Sequence, residues 1–237
     1  MRAEARWPPR ADARGRSPFH GRDASIVLDG VAVAVVWSDG DTFRPNGAKH
    51  AARVSGYNTL ETYGAVHRWG AWDPAALEVL ANRATVVVAS RTRTCRSLGK
   101  PDSYGRTLVD CPDAAADLIG RGLAMVFAVA PETPDAKLLE LQAAAQKARR
   151  GIWADGVPDL ILTSVHSADE PGRRAGAHAH NRVVDPRTGK TDLREHDEVY
   201  ATCEDVCEVG GKTKTCLVYV PFEQRYRNRP ACLGAAP

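Results

Sequence analysis

Hydrophobic and polar positions alternate with a period of two from Ser25 to about Arg53, which predicts three strands: Ile26 to Leu28, Val31 to Trp37 and Ala51 to Gly56. The second strand runs into Asp39-Gly40, a hairpin-type turn signal that leaves Asp41 at a strand end. A helical pattern then opens at Asp73-Pro74 and runs to Ala81, with an N-cap acid and a proline at the first helical position. Thr85-Val-Val-Val-Ala-Ser90 is β-branched and predicts a buried strand. Arg91 to Lys100 reads as a charged loop, either solvated or facing a phosphate. Tyr104 to Asp110 reads as a strand, Ala114 to Gly122 as a helix ended by glycine, and Leu123 to Val129 as a short strand or extended turn. Lys137 to Arg150 is the clearest helix, rich in strong helix formers, with basic residues in its last turn where they complement the dipole. Five strands and three helices over residues 25–153 are compatible with a small closed β-barrel carrying helices.

On either side of that block the patterning fades. Residues 1–24 carry Arg2, Arg6, Arg10, Arg14, Arg16 and Arg22 with three prolines and no apolar core, so they predict a disordered basic segment, as a bland tail or as an arm along a nucleic-acid backbone. Residues 25–155 hold the barrel. Residues 156–194 turn polar, with Pro171-Gly172 and Thr188-Gly189 as turn signals, and predict a partly ordered linker. Residues 195–237 form a small Cys-rich extension around Cys203, Cys207, Cys216 and Cys232.

Composition narrows the classes. A net charge of +3 is too mild for a polycation that coats nucleic acid indiscriminately, so any phosphate binding must come from local clusters. No run of eighteen apolar residues spans a membrane, and residues 1–24 lack the apolar centre of a secretory signal. Six cysteines, an even number without the close pairs of a zinc ribbon, predict disulfides formed in an oxidising compartment and hence a secreted or cell-envelope location. The missing signal is then expected upstream or already removed. Six cysteines allow fifteen pairings, and Cys95 with Cys111 is the one pair that placement around a hairpin predicts. His178 and His180 have no partner cluster and read as solvated rather than metal-ligating.

Candidate chemistry gathers in Arg53-Val-Ser-Gly-Tyr-Asn-Thr-Leu-Glu-Thr62, with Asp41 upstream and Arg106 downstream. Asp41 carboxylate, the Asn58 side-chain oxygen and the Thr59 carbonyl are three oxygen ligands suited to calcium. Glu61 is placed to act as a general base or to orient a water, and Arg53 and Arg106 are planar donors suited to bidentate phosphate contacts. Asp-Gly-Asp-Thr, then Arg-x4-Asn-Thr-x-Glu, then Tyr-Gly-Arg, in that order, resemble the thermonuclease (staphylococcal nuclease-like) family. The likeness covers roughly Val27 to Trp153 and includes a closing helix that ends in Arg149-Arg-Gly-Ile-Trp153.

That resemblance implies an α+β, mainly β fold: a five-stranded OB-fold-type barrel with about three helices. It also implies a calcium-dependent phosphodiesterase acting on DNA, RNA or both, endonucleolytic and leaving 3′-phosphate ends. Catalytic roles then fall to Arg53, Glu61 and Arg106, metal binding to Asp41, Asn58 and Thr59, and a substrate-contacting ring to Tyr104. Three departures stand out: Asn58 where the family carries an aspartate, Leu60 for a proline, and Ala128 where an aromatic flanks the substrate base. No obligate protein partner is evident. The alternative is a weak or inactive nuclease-like barrel that binds nucleic acid or protein, against which stand Glu61 and Asp41, which such a relative has no need of. A disulfide-rich secreted adhesive protein leaves residues 25–153 unexplained.

Overall fold

A computed structural model describes residues 22–62, 67–102, 104–171, 178–221, 223–224 and 230–233. The basic segment expected at the start lies outside these up to residue 21, and its last three residues belong to the first strand. The chain begins with β1 (Arg22–Leu28), β2 (Val31–Trp37), β3 (Thr42–Pro45), β4 (Ala52–Val54), β5 (Gly56–Thr59) and β6 (His67–Trp69). Helix α1 (Pro74–Ala89), β7 (Arg93–Pro101), β8 (Thr107–Asp110), α2 (Pro112–Gly120), β9 (Ala124–Phe127) and α3 (Ala136–Lys147) follow. The remainder supplies β10 (Ile161–Ser164), β11 (Ala179–Val184), β12 (Thr191–His196), β13 (Asp205–Gly210) and β14 (Thr213–Val218).

The OB-type barrel that the resemblance implies is present, with the strand order β1-β2-β3-β4-β8-β7. Its closed sheet counts six strands because the chain after Asp41 turns straight back as β3, which alternation alone did not mark. Parallel seams between β1 and β7 and between β4 and β8 close the cylinder, and the other neighbours run antiparallel. Ile26, Val35, Trp37, Phe43, Ala52, Val54 and Val109 fill the interior, backed by Leu118, Ile119, Ala84 and Val88 from the helices. Strand alternation decides the site at β4: Ala52 and Val54 point inward, so Arg53 between them points out of the barrel.

Two stretches take a different form from the one their composition predicts. Thr85 to Ala89 continues α1 as helix, because Leu77, Ala81, Ala84, Thr85 and Val88 recur at helical spacing and are all buried. Burying that face outweighs the β preference of three valines, which is a weak and context-dependent term. The charged stretch from Arg93 is a barrel strand, so neither loop reading applies. Arg93 is 0% exposed and donates to the Val88 and Val87 carbonyls at 2.9 and 2.7 Å and to Asp117 at 2.9 Å, closing the C-terminus of α1. Arg91 and Arg96 pair with Asp117 and Asp110.

The polar stretch expected as a linker carries β11 and most of β12, which join β10 in an antiparallel sheet. β12 is mostly exposed, while Ala179, Asn181, Val183 and Val184 of β11 are buried. Nor does the Cys-rich part stand apart. β14 pairs with β6, and Ile161 and Val184 share a core with Leu60, Trp69, Leu77, Met125, Ile152 and Trp153. Gln142 on α3 fastens the same joint, accepting from Val126 N–H at 2.7 Å and donating to the Pro186 carbonyl at 2.6 Å. All six cysteines are paired, Cys95 with Cys111 as expected, Cys203 with Cys232, and Cys207 with Cys216 across the β13–β14 ladder. Among the described residues no helix is long and apolar enough to cross a membrane.

Arg93→Ala should lower stability by about 2 kcal/mol, since it takes the Arg93 Nε donor from the Val88 carbonyl, leaves the Val87 carbonyl to Ser90, and leaves the partly buried Asp117 to Arg91 and Arg121. Urea unfolding of both proteins checks this. A change below about 1 kcal/mol would mean that Arg93 does not hold the end of α1.

Candidate active site

Asp41 follows the tight turn after β2 and is 1% exposed. Gly40 makes this approach possible: a Cβ there would lie 2.5 Å from Thr59 Cγ2 and 2.9 Å from Ala84 Cβ, so no side chain fits between the turn and β5. One Asp41 oxygen, Oδ1, accepts from Thr42 Oγ1 at 3.1 Å and from the Arg53 guanidinium. The other, Oδ2, accepts from the Thr59 N–H at 2.7 Å and from Thr59 Oγ1 at 3.0 Å. Arg53 donates a second hydrogen bond to Asn58 Oδ1, and Asn58 Nδ2 donates to the Thr59 carbonyl at 2.7 Å. Four of the residues expected in the site, Asp41, Arg53, Asn58 and Thr59, thus form one hydrogen-bonded cluster.

Charge in this cluster is uneven. Burial, then the charges of Asp41 and Glu61, push the Asp39 carboxyl well above its ordinary range, against the pull of Arg53. Burial works against the charge on Arg53, but Asp41, Asp39 and Glu61 together more than offset it and raise the guanidinium above its ordinary value. Burial, followed by Asp41, likewise raises the Tyr57 hydroxyl, which donates to the Gly40 carbonyl at 2.9 Å. Glu61 therefore lies within the field of Arg53 and Asp39.

Sequence reasoning missed the group that fixes the Glu61 backbone. The Glu61 N–H donates to Nε2 of His67 at 3.2 Å, and His67 is 3% exposed on β6, the strand that β14 pairs with. Burial lowers the His67 pKa to about 3, so at neutral pH the ring is uncharged and its Nε2 can accept. Nothing in the sequence marked it, because its partner is a backbone N–H.

Tyr104 and Arg106 stand on the β7–β8 connection, ordered by Asp102. Its Oδ1 accepts from the Tyr104 and Arg106 N–H groups, both at 2.9 Å, and its Oδ2 accepts from Arg106 Nε at 2.7 Å. Burial opposes ionisation of Asp102, but hydrogen bonds from the Arg106 backbone and side chain, with its charge, hold the carboxyl below its ordinary value. The Arg106 guanidinium carbon lies 5.4 Å from the Tyr104 ring centroid, and that ring is 61% exposed. Asp102 opens the Asp-Ser-Tyr-Gly-Arg stretch and was legible only as a turn residue. A further side chain unmarked in the sequence is Arg182 of β11, on which the charges of both Arg53 and Arg106 bear.

The donor set fits a hard cation in kind, being all oxygen: a carboxylate, an amide and a backbone carbonyl. Its two side-chain members also converge, since Asp41 Oδ1 and Asn58 Oδ1 bind one cationic group, the Arg53 guanidinium. Among the described residues no group of three or more His, Cys, Asp or Glu side chains is disposed to hold a metal. His178 lies apart from this cluster and pairs with Asp197 at 2.7 Å; His180 packs its ring 5.1 Å from that of His166. Ala128 is buried, its N–H bonded to the Gly189 carbonyl and its carbonyl to Thr191, so that position faces the C-terminal sheet rather than a substrate.

Residues 51–155 match the family model described as staphylococcal nuclease homologue. No curated protein matches the chain. The matched span contains Arg53, Asn58, Thr59, Glu61, Tyr104 and Arg106, whereas Asp41 precedes it and Arg182 follows it.

His67 gives the folded state an acid sensitivity. Its folded value, about 3, lies below the ordinary 6.5, so on acidification the unfolded chain takes up the proton first. Above pH 6.5 the histidine leaves stability unchanged, and stability then falls as the pH drops from 6.5 toward 3. The loss should reach about 2 kcal/mol by about pH 5. His67→Gln keeps an acceptor for Glu61 N–H without titrating, and should flatten that part of a stability profile measured by urea unfolding; an unaltered slope would contradict the assignment.

Proposed function

From the premise that the chain carries a staphylococcal nuclease homologue domain over residues 51–155, we propose that it is a calcium-dependent nuclease that hydrolyses phosphodiester bonds of DNA or RNA and leaves 3′-phosphate ends. The observation that carries this reading is the cluster in which the buried Asp41 carboxylate organises Arg53, Thr59 and, through Arg53, Asn58, with Glu61 beside them.

Each residue has a distinct task in such a reaction. Glu61 accepts a proton from the attacking water, whose oxygen forms the new bond to phosphorus while the bond from phosphorus to O5′ breaks. Arg53 spends one N–H on Asp41 and one on Asn58, which leaves donors of its five for a phosphate oxygen. Arg106 gives Nε to Asp102 and so turns its terminal nitrogens toward the same task, stabilising the charge that builds on the equatorial oxygens. Tyr104, exposed beside Arg106, offers a ring to a base or a hydroxyl to a phosphate. A calcium ion held by Asp41, Asn58 and the Thr59 carbonyl would supply positive charge against the phosphate. Three disulfides support a setting outside the reducing cytoplasm, in the medium or the cell envelope.

A second reading, a barrel that binds nucleic acid without cutting it, draws on Asn58, which leaves Asp41 as the one charged ligand. The two readings separate in one assay. Single- and double-stranded DNA and RNA are incubated with the pure protein and calcium or chelator. Cleavage with calcium and none with chelator is expected; binding without cleavage in either condition would favour the second reading. Arg53→Ala, Glu61→Gln and Arg106→Ala should each reduce turnover at least about a hundredfold, the scale of losing one transition-state donor or base. Full activity in both arginine variants would end the mechanism.

Calcium sites tune affinity largely through ligand charge, so Asn58→Asp should tighten calcium binding about tenfold, or about 1.4 kcal/mol. Calorimetric titration of the two proteins measures this, and unchanged or weaker binding in the variant would remove residue 58 from the ligand set. Turnover need not follow, since a ground-state contact helps only if it strengthens in the transition state.

A further inference from the structure

Arg182 is the middle of β11, itself the middle strand of its sheet. Alternation sends Ala179, Asn181 and Val183 into the core, so Arg182 projects from the other face. Its backbone is pinned, the carbonyl accepting from Thr163 Oγ1 at 3.0 Å. Its guanidinium is not: the side chain makes no hydrogen bond or ion pair among the described residues, and its Nε is buried without a partner. The residue registered against it on β10 is Ser164, whose Oγ is also buried and unpartnered. A half-buried guanidinium with no carboxylate is an unfavourable arrangement on its own. Here the charges of Arg53 and Arg106 also bear on it, and after burial itself they weaken its hold on its proton, with Tyr104 acting the other way. Val184, two residues further on and so on the same face of β11 as Arg182, shares a buried core with Leu60, which lies between Thr59 and Glu61. That face of the C-terminal sheet therefore meets the segment carrying the candidate site, and it belongs to a part of the chain outside the nuclease-like span.

We infer that the C-terminal sheet is part of the active site, with Arg182 as a third phosphate-binding arginine that grips the nucleic-acid backbone next to the phosphate held by Arg53 and Arg106. An anion of this kind supplies the missing charge, met by the terminal nitrogens of the half-buried Arg182 guanidinium. Extended single strands, with phosphates on both sides of the cleaved bond, satisfy all three arginines; a substrate with one phosphate cannot.

This inference rests on the nuclease reading for its substrate, and its test is built so that the two fail separately. Binding of a fluorescent twelve-nucleotide single-stranded DNA is measured in chelator, where no cleavage occurs, by anisotropy over a salt series for wild type, Arg182→Ala and Arg182→Lys. Thermal melting accompanies each. Arg182→Ala should weaken binding about tenfold and lower the slope of log affinity against log salt by about one, the signature of one lost phosphate contact. Arg182→Lys should restore the slope, and the melting temperature of Arg182→Ala should stay level or rise, because an unpaired charge has been removed. Equal binding and slope in Arg182→Ala and wild type would overturn the proposal, as would a marked fall in melting temperature, which would make Arg182 a structural residue. Wild type that binds the strand with this signature yet never cuts it with calcium would overturn the nuclease reading and leave the Arg182 contact standing.

Discussion

The buried carboxylate of Asp41 is the constraint on which the site depends. Four donors reach its two oxygens, from Thr42, from Thr59 twice and from Arg53. They come from three places: the start of β3 and the outward position of β4 in the barrel wall, and the end of β5 in the two-stranded sheet with β9. A buried charge left unpaired is costly, so this one carboxylate fixes where three strands lie relative to each other. It also orients the arginine, because Arg53 has its charge raised by the acids around it and is held in one place by Asp41 and Asn58. A charged donor that is already positioned stabilises a transition state without reorganising, which is the physical basis of the proposed activity.

Residues after Trp153 take part in the same arrangement. β14 supports β6, β6 carries His67, and His67 accepts from the backbone of Glu61. Gln142 bonds to both β9 and the turn before β12, and a shared core joins Ile161 and Val184 to Leu60, the residue before Glu61. The Cys207–Cys216 bridge spans the hairpin that β6 extends. Loss of that bridge therefore acts on strands that reach Glu61 and not on a detached tail. Arg182 approaches from the other sheet of the same segment.

How far the chain could be read without its structure follows from what kind of interaction each feature depends on. Period-two alternation revealed β1, β2 and β4, and strong formers with an aspartate cap revealed α3, since these are local properties. Asp41, Arg53, Asn58 and Thr59 were legible as a set through the order of their motifs, and the structure brings them into one cluster. The run of valines in α1 was misread because tertiary burial of one helical face outweighed local β preference. β7 looked like a charged loop because its arginines are satisfied by carboxylates on later elements and by the carbonyls at the end of the helix just before it. β11 and β12 looked like a linker because β12 is polar and exposed and β11 interleaves His180, Asn181 and Arg182 with its buried apolar residues. His67, Asp102 and Arg182 were invisible for a related reason: the partners of the first two are backbone groups or lie on a turn, and the side chain of the third has none among the described residues.

Asp41 offers the most direct test, because Asp41→Asn keeps the shape of the side chain while removing the charge that holds Arg53 and to which the proposal assigns cation binding. Initial rates of cleavage of a fluorogenic single-stranded DNA would be measured for wild type and Asp41→Asn across a calcium titration, with circular dichroism to establish that both are folded. The account predicts a folded variant at least about a hundredfold slower whose residual rate no longer responds to calcium in the range that activates wild type. A folded variant that cuts at the wild-type rate with the same calcium dependence would contradict it.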